Sequence, residues 1–446
     1  MDSSVPAQVP SRGRGSQFRY ILLATIVGAI AGAIGSLFHL ALNILLHWPM
    51  LLRSIVSGPL LIAAAAFITM MATVAAVALV RHAAPEAGGS GVQEVEGAMA
   101  GLREVNGARV LPVKFFGGIA AIGSGLVLGR EGPTIHIGAS MAAILAARLR
   151  LDSTERSGLL AAGAAAGLAC AFNAPVAAVL FVIEETRREF PFRFGTYMAV
   201  IVAALLATVM TQLIGGRGAD LSMAAREVPL AMLPLFALLG CLLGGVGVLL
   251  NAAILKALAV ADTASVRTPY LYPAVVGLVV GALLILLPQS VTGGEALIPG
   301  WARDRPALSA LLVLCAVRFC VSVASYSTGV PGGIFAPILS LAACVGLAFA
   351  TVVSMVVTEA GIVPAAFAIA AMGGLFTASV RAPMVGLVLT LELTGAYELT
   401  LPLLATCLLA NVTAQWLGGK PIYGQLLDRT LSMTGSKPLA QTANKV

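Results

Sequence analysis

The most constraining feature of this chain is a set of apolar segments too short to cross a bilayer, each opened or closed by glycine and proline. Apolar runs fall near 20–48, 57–80, 111–128, 133–149, 157–183, 195–214, 228–260, 271–288, 307–325, 333–358, 361–379, 382–394 and 399–417. Spanning hydrocarbon as a helix takes about 20 residues. The run at 382–394 cannot do it. A helix that ends at membrane depth exposes unpaired amides and carbonyls, which hydrocarbon does not solvate, so such breaks must be buried in protein or line a cavity. Composition agrees with a bilayer protein: 59% of residues are hydrophobic and 11% charged, too little charge to cover a soluble surface of this size.

The charge that exists sits near the ends of the runs. "SRGRGSQFR" precedes the first run, and "DRT", "SKP" and "NKV" follow the last. The positive-inside bias therefore predicts both termini in the cytoplasm and an even number of crossings. No secretory cleavage pattern follows the basic start. The net charge of +7 has no clustered basic and aromatic surface to serve nucleic acid. The six cysteines (Cys170, Cys241, Cys315, Cys320, Cys344, Cys407) lie in apolar runs without a CxxC pair and read as small hydrophobes. His39, His47, His82 and His136 show no HExxH spacing, so no metal site is expected. No activated nucleophile or metal set points to an enzyme.

The breaks recur. "VLGREGPTIHIGAS" and "VPGGIFAPILSLAA" both run glycine, three residues, proline, then a helix of small residues (Gly129 to Pro133; Gly333 to Pro337). Downstream of each comes Ala-Pro, in "FNAPVAAVLFVIEE" and "VRAPMVGLVLTLEL", with a glutamate nine residues after the proline, Glu184 and Glu392. Two matched pairs in one order divide the chain into homologous halves, 20–215 and 228–426, joined by a linker at 216–227 and flanked by cytoplasmic segments 1–19 and 427–446. Matched broken segments are the mark of transporters whose site lies between repeats. The pattern leaves open whether the repeat is inverted or parallel.

Five stretches carry chemistry. In "APEAGGSGVQEVEGA" (84–98) Ser90 stands where one helix stops and another starts, beside free amides; the plainer reading is an ordinary N-cap. In "GREGP" the glycines and Pro133 leave Gly129, Arg130 and Glu131 at a helix start, which binds anions. Glu131 is itself an anion. It can fill that start or swing away from it; the plainer reading is a loop ion pair with Arg130. In "GVPGGIFAP" the same scaffold has no carboxylate, and Gly333, Ile334 and Phe335 offer amides that solvate an anion without a fixed charge; a break made for packing is the alternative. In "LFVIEETRREF" Glu184 has the repeat partner Glu392 and reads as a shared structural acid. Glu185 faces Leu393 in the repeat and is the better proton-relay candidate, against pairing with Arg187 and Arg188. Tyr423 in "GGKPIYGQ" is placed to aim a hydroxyl inward, although an interfacial belt tyrosine has the same look. Lys114 and Arg318, in apolar runs, read as paired or snorkelling cations, and His136 as packing.

With "GSGVQ", "GREGP", "GGIFAP" and "GGKPIY" in this order, residues 20–426 resemble the CLC family of chloride channels and chloride/proton antiporters. The resemblance implies an all-α polytopic fold of two inverted-topology repeats with tilted, broken helices. It implies a homodimer in the inner (plasma) membrane, chloride and protons as transported ions, and no cofactor. Ser90 and Tyr423 would then donate hydroxyls to a central chloride, with the amides of Ile334 and Phe335. Glu131 would be the gating, proton-carrying glutamate, and Glu185 the inner proton-transfer acid. "GSGVQ" lacks the family's proline at Gln93 but keeps the serine that goes with chloride preference. The fluoride-exporting branch departs from "GREGP" and "GSG", and the CBS pair of many relatives is missing. Exchange of chloride for protons is the leading expectation, and a passive chloride channel built on the same site the alternative.

Overall fold

A computed structural model describes residues 14–187, 189–216, 221–223, 228–356 and 363–435. Arg188, much of the 216–227 linker, most of the basic start and the last residues of the tail lie outside them. The first half contains α1 (Arg14–Leu45), α2 (Trp48–Ile55), α3 (Gly58–Ala83), α4 (Val92–Met99), α5 (Gly107–Gly123), α6 (Glu131–Arg148), α7 (Ser153–Phe172), α8 (Pro175–Glu185) and α9 (Phe194–Gly215). The second contains α10 (Leu233–Arg267), α11 (Leu271–Leu286), α12 (Ile298–Asp304), α13 (Leu308–Ser327), α14 (Phe335–Val356), α15 (Pro364–Val380), α16 (Pro383–Thr394), α17 (Thr400–Trp416) and α18 (Ile422–Met433). Among the described residues seven helical stretches are long and apolar enough to cross a membrane, and α11, α15 and α16 are apolar but shorter.

Packing repeats between the halves. α1 lies on α9 as α10 lies on α17, and α6 on α7 as α14 on α15. Glycine makes the first of these contacts possible. A Cβ at Gly32 would sit 2.6 Å from the Ala207 Cα, and one at Gly240 would sit 2.5 Å from the Thr406 carbonyl. In lipid, where apolar surface gains little from burial, such close backbone approach supplies the dispersion that holds helices together.

The hand of the repeat follows from α8 and α16. Both start with proline, whose missing N–H leaves the next two amides as the free ones. The Glu392 carboxylate, near the end of α16, accepts from Val176 N at 3.2 Å and Ala177 N at 2.7 Å. The Glu184 carboxylate, near the end of α8, accepts from Met384 N at 3.4 Å and Val385 N at 2.9 Å. Each helix end therefore lies beside the other's start. Equivalent helices run antiparallel, so the topology is inverted. The nine-residue spacing from proline to glutamate is the length over which an antiparallel neighbour reaches the opposite start, about 13 Å at 1.5 Å per residue.

Candidate anion site

The breaks of the two halves meet at one place. Gly129 and Gly333, equivalent in the repeat, form an antiparallel bridge with reciprocal hydrogen bonds: Gly129 N to Gly333 O at 2.8 Å and Gly333 N to Gly129 O at 2.7 Å. Beside it Gly89 pairs with the strand-like segment at Pro331, its N–H donating to Val330 O and its carbonyl accepting from Gly332 N, both at 3.1 Å. These bridges lock the starts of α6 and α14 and the Ser90 loop into one cradle. They also revise two expected donors. The Gly129 and Gly333 amides are spent on each other, so these glycines build the cradle and offer no N–H to an anion. The free amides lie at the starts of α6 and α14; Phe335 opens α14 and Ile334 immediately precedes it.

The expected residues converge there. Ser90, Glu131, Phe335 and Tyr423 have no exposed surface, and Ile334 is 3% exposed. The Ser90 loop presses on α6 so closely that a Cβ at Gly132 would lie 2.5 Å from Ser90 Oγ. Ser90 Oγ and Tyr423 Oη are buried without a hydrogen-bond partner, as are both carboxylate oxygens of Glu131. Orphaned hydroxyls cost about 1–3 kcal/mol each; two aimed into one cradle fit a small anion that accepts from both. The Glu131 carboxylate folds back over the bridge, such that a Cβ at Gly129 would meet its Oε2 at 2.0 Å and the Ala336 amide at 3.1 Å. It occupies the face that the two helix starts share.

Arg130 is anchored by its side chain ahead of α6. Its guanidinium donates to the Ala171 carbonyl at 3.1 Å and meets the His39 ring, so it braces the loop ahead of α6. Below the cradle, Phe335 and Tyr423 stack with centroids 6.0 Å apart, and Phe181 packs on both. Glu185 lies one helical turn beyond Phe181 on the same face of α8 and is half-buried. Glu184 does not join this group; it caps α16.

Two residues had more to do than the sequence disclosed. Lys114 and Arg318 do not snorkel: neither has exposed surface. Lys114 Nζ donates to the carbonyls of Gly89 at 2.6 Å and Ser90 at 3.0 Å, which fixes the loop presenting the hydroxyl. Arg318 donates to the carbonyls of Gln289, Val291, Thr292 and Gly293 and to Ser340 Oγ, pinning a loop to α14. Motifs flag glycines and prolines, and neither cation stands in one. His136 packs against Gly91, where a Cβ would lie 2.3 Å from its Nδ1.

Two cavities approach the cradle. One of about 540 Å³ is lined by Gly88, Gly89, Gln93, Tyr326 and Arg429 among others. The other, about 230 Å³, is lined by His39, Asn43, Arg130, Thr292 and Glu295 among others.

Fold and site together define a polytopic membrane protein with inverted repeats of broken helices around a buried cradle of helix starts and unpaired hydroxyls. A family model described as voltage gated chloride channel matches residues 72–415, and the chain belongs to that family. Curated relatives include the H(+)/Cl(-) exchange transporter ClcA of Vibrio parahaemolyticus, 43% identical over 439 residues with 95% of this chain and 92% of the relative covered. ClcA of Yersinia pseudotuberculosis is 40% identical over 420 residues, covering 92% and 88%. Among solved structures, a slow cyanobacterial Cl-/H+ antiporter superposes with TM-score 0.89 at 35% identity, covering 93% of this chain and 98% of that one. A eukaryotic CLC transporter shares the fold, with TM-score 0.77 at 23% identity over 92% of this chain and 74% of its own.

Proposed function

We propose that this chain exchanges chloride for protons across the inner (plasma) membrane. The observation that carries the reading is the Glu131 carboxylate lying over the paired helix starts, beside the orphaned hydroxyls of Ser90 and Tyr423. A chloride and a carboxylate cannot share that face: two charges at 4 Å repel by roughly 4 kcal/mol at an effective dielectric constant of 20. Protonation removes the charge of Glu131 and frees it to leave; chloride then takes the amides of Ile334 and Phe335 at the start of α14 and the two hydroxyls. Proton and anion movements are coupled because they compete for one seat. Glu185 passes protons between that seat and the cytoplasm. The relatives named as H(+)/Cl(-) exchange transporters support exchange over a passive channel.

In this reading the repeats span 20–215 and 228–426, linked through 216–227, with cytoplasmic segments 1–19 and 427–446. The 540 Å³ cavity is cytoplasmic, because α18, which leads into the tail, lines it; the 230 Å³ cavity opens outside. The protein is a homodimer. The starts of α8 and α16 stand at the surface, with Val176 56% and Met384 49% exposed, beside two carboxylates. Lipid does not tolerate polar helix starts and carboxylates at membrane depth, so a second copy covers them.

The test is chloride-driven proton flux in liposomes. Wild type pumps protons against their gradient; Glu131→Gln carries chloride without moving protons, and Glu185→Gln uncouples in the same way. Proton-tight chloride conduction by wild type would instead make the protein a passive channel.

A further inference from the structure

One carboxylate at the outer cavity has no part in the scheme above. Glu295 opens a single turn of 3-10 helix, Glu295–Leu297, after a bend at Gly294 with φ +83°. Its repeat and motif context gives no reason for an acid. The side chain is half-buried, and Oε2 is fully buried without a hydrogen-bond partner. Space for it is made by Gly293, where a Cβ would lie 2.4 Å from Oε2 and 3.2 Å from the Ala336 Cβ. Ala336 also borders the Glu131 carboxylate, since a Cβ at Gly129 would meet the Ala336 amide at 3.1 Å and Glu131 Oε2 at 2.0 Å. The two acids thus lie against the same first turn of α14.

The obvious partner is already committed. Arg318 reaches Gly294, yet its N–H groups go to Gln289, Val291, Thr292, Gly293 and Ser340. The other charged or titratable groups facing this space are Arg130 and His39, which hold one another. Glu295 is therefore an acid with an unsatisfied oxygen, lining a cavity of about 230 Å³ that continues to Arg130. That volume has room for several waters, each needing about 30 Å³.

We propose that Glu295 is a proton-relay carboxylate on the outer side, passing protons between water in the outer cavity and Glu131. When chloride displaces Glu131 from its seat, the side chain turns toward this cavity. The Glu295 O–H bond breaks as an O–H bond forms on the Glu131 carboxylate, directly or through one water. Glu295 is left as a carboxylate, which a proton from the external solution restores; the reverse direction runs the same bonds backward. No redox partner or leaving group is involved. The inference rests on the exchange reading and adds a donor that works faster than bulk water at neutral pH, where free protons are scarce.

The experiment measures chloride-driven proton flux in liposomes at a series of external pH values for wild type, Glu295→Gln and Glu295→Asp. Glu295→Gln should slow coupled exchange at neutral external pH by roughly threefold to tenfold, a modest part of what a positioned acid supplies because water remains a substitute. The defect should vanish at acidic external pH with the chloride-to-proton ratio unchanged, and Glu295→Asp should restore most of the neutral-pH rate. The chloride flux of Glu131→Ala, which has no carboxylate to serve, should not slow further when Glu295→Gln is added. If wild type exchanges and Glu295→Gln matches it at every pH, the relay is refuted while the exchange reading stands. A slowing that persists at acidic pH and also depresses the Glu131→Ala chloride flux marks a structural role and refutes it too. If wild type itself moves no protons, the exchange reading fails first.

Discussion

Removing one of the crossed glutamates tests the inverted repeat as a physical contact. In Glu392→Ala, Val176 N and Ala177 N lose acceptors at 3.2 and 2.7 Å. A hydrogen bond to a charged group is worth about 1.5–3 kcal/mol, and a carboxylate at a helix start adds about 0.5–1 kcal/mol through the dipole. The longer bond contributes little and the site is only half-buried, so the expected loss is about 2–4 kcal/mol. Glu392→Gln keeps one acceptor oxygen and should lose about 1 kcal/mol. Glu184→Ala should cost slightly less than Glu392→Ala, because its contacts are longer, 2.9 and 3.4 Å. The two caps sit about 10 Å apart along α8, so the double variant should show nearly additive losses. Sodium dodecyl sulfate titration of the detergent-solubilised protein, followed by circular dichroism, reads these differences. A loss below about 0.5 kcal/mol for either alanine variant would refute the reciprocal cap.

The cradle gives two further expectations. Gly129→Ala places a methyl 2.0 Å from the Glu131 carboxylate, whose side chain is the easier of the two to move; chloride flux should rise and proton coupling should fall without loss of fold, as measured by paired ion fluxes. Tyr423→Phe deletes one of the two orphaned hydroxyls and should weaken chloride binding by roughly fivefold to tenfold, about 1 kcal/mol, in isothermal titration calorimetry.

Much of this architecture was written in glycine and proline. Gly129 to Pro133 and Gly333 to Pro337 announced two equivalent helix starts, and the shared Pro-to-Glu spacing separated Glu184 from Glu185 before any geometry was known. The pattern could not say that Gly129 and Gly333 bond each other, since that pairing joins residues 204 positions apart and depends on the hand of the repeat. Between pairing and snorkelling, the sequence left Lys114 and Arg318 open for a related reason. A buried cation surrounded by backbone carbonyls leaves no pattern in side chains, because its partners are the C=O groups of whatever residues form the loop. Glu295 escaped notice since it lies outside the matched motifs.

The pairing of Gly129 with Gly333, and the reciprocal capping of α16 by Glu184 and of α8 by Glu392, has the form of an isologous contact, in which each contact recurs between the equivalent positions of the two halves. Two separate half-length chains meeting this way would carry every side chain twice, and a glutamate at the gate would appear on both sides of the axis, setting two like charges face to face. Joining the halves into one polypeptide lifts that obligation. Position 131 holds glutamate while its counterpart, position 335, holds phenylalanine. A single gate at the centre of a two-fold frame is something only a fused chain can inherit.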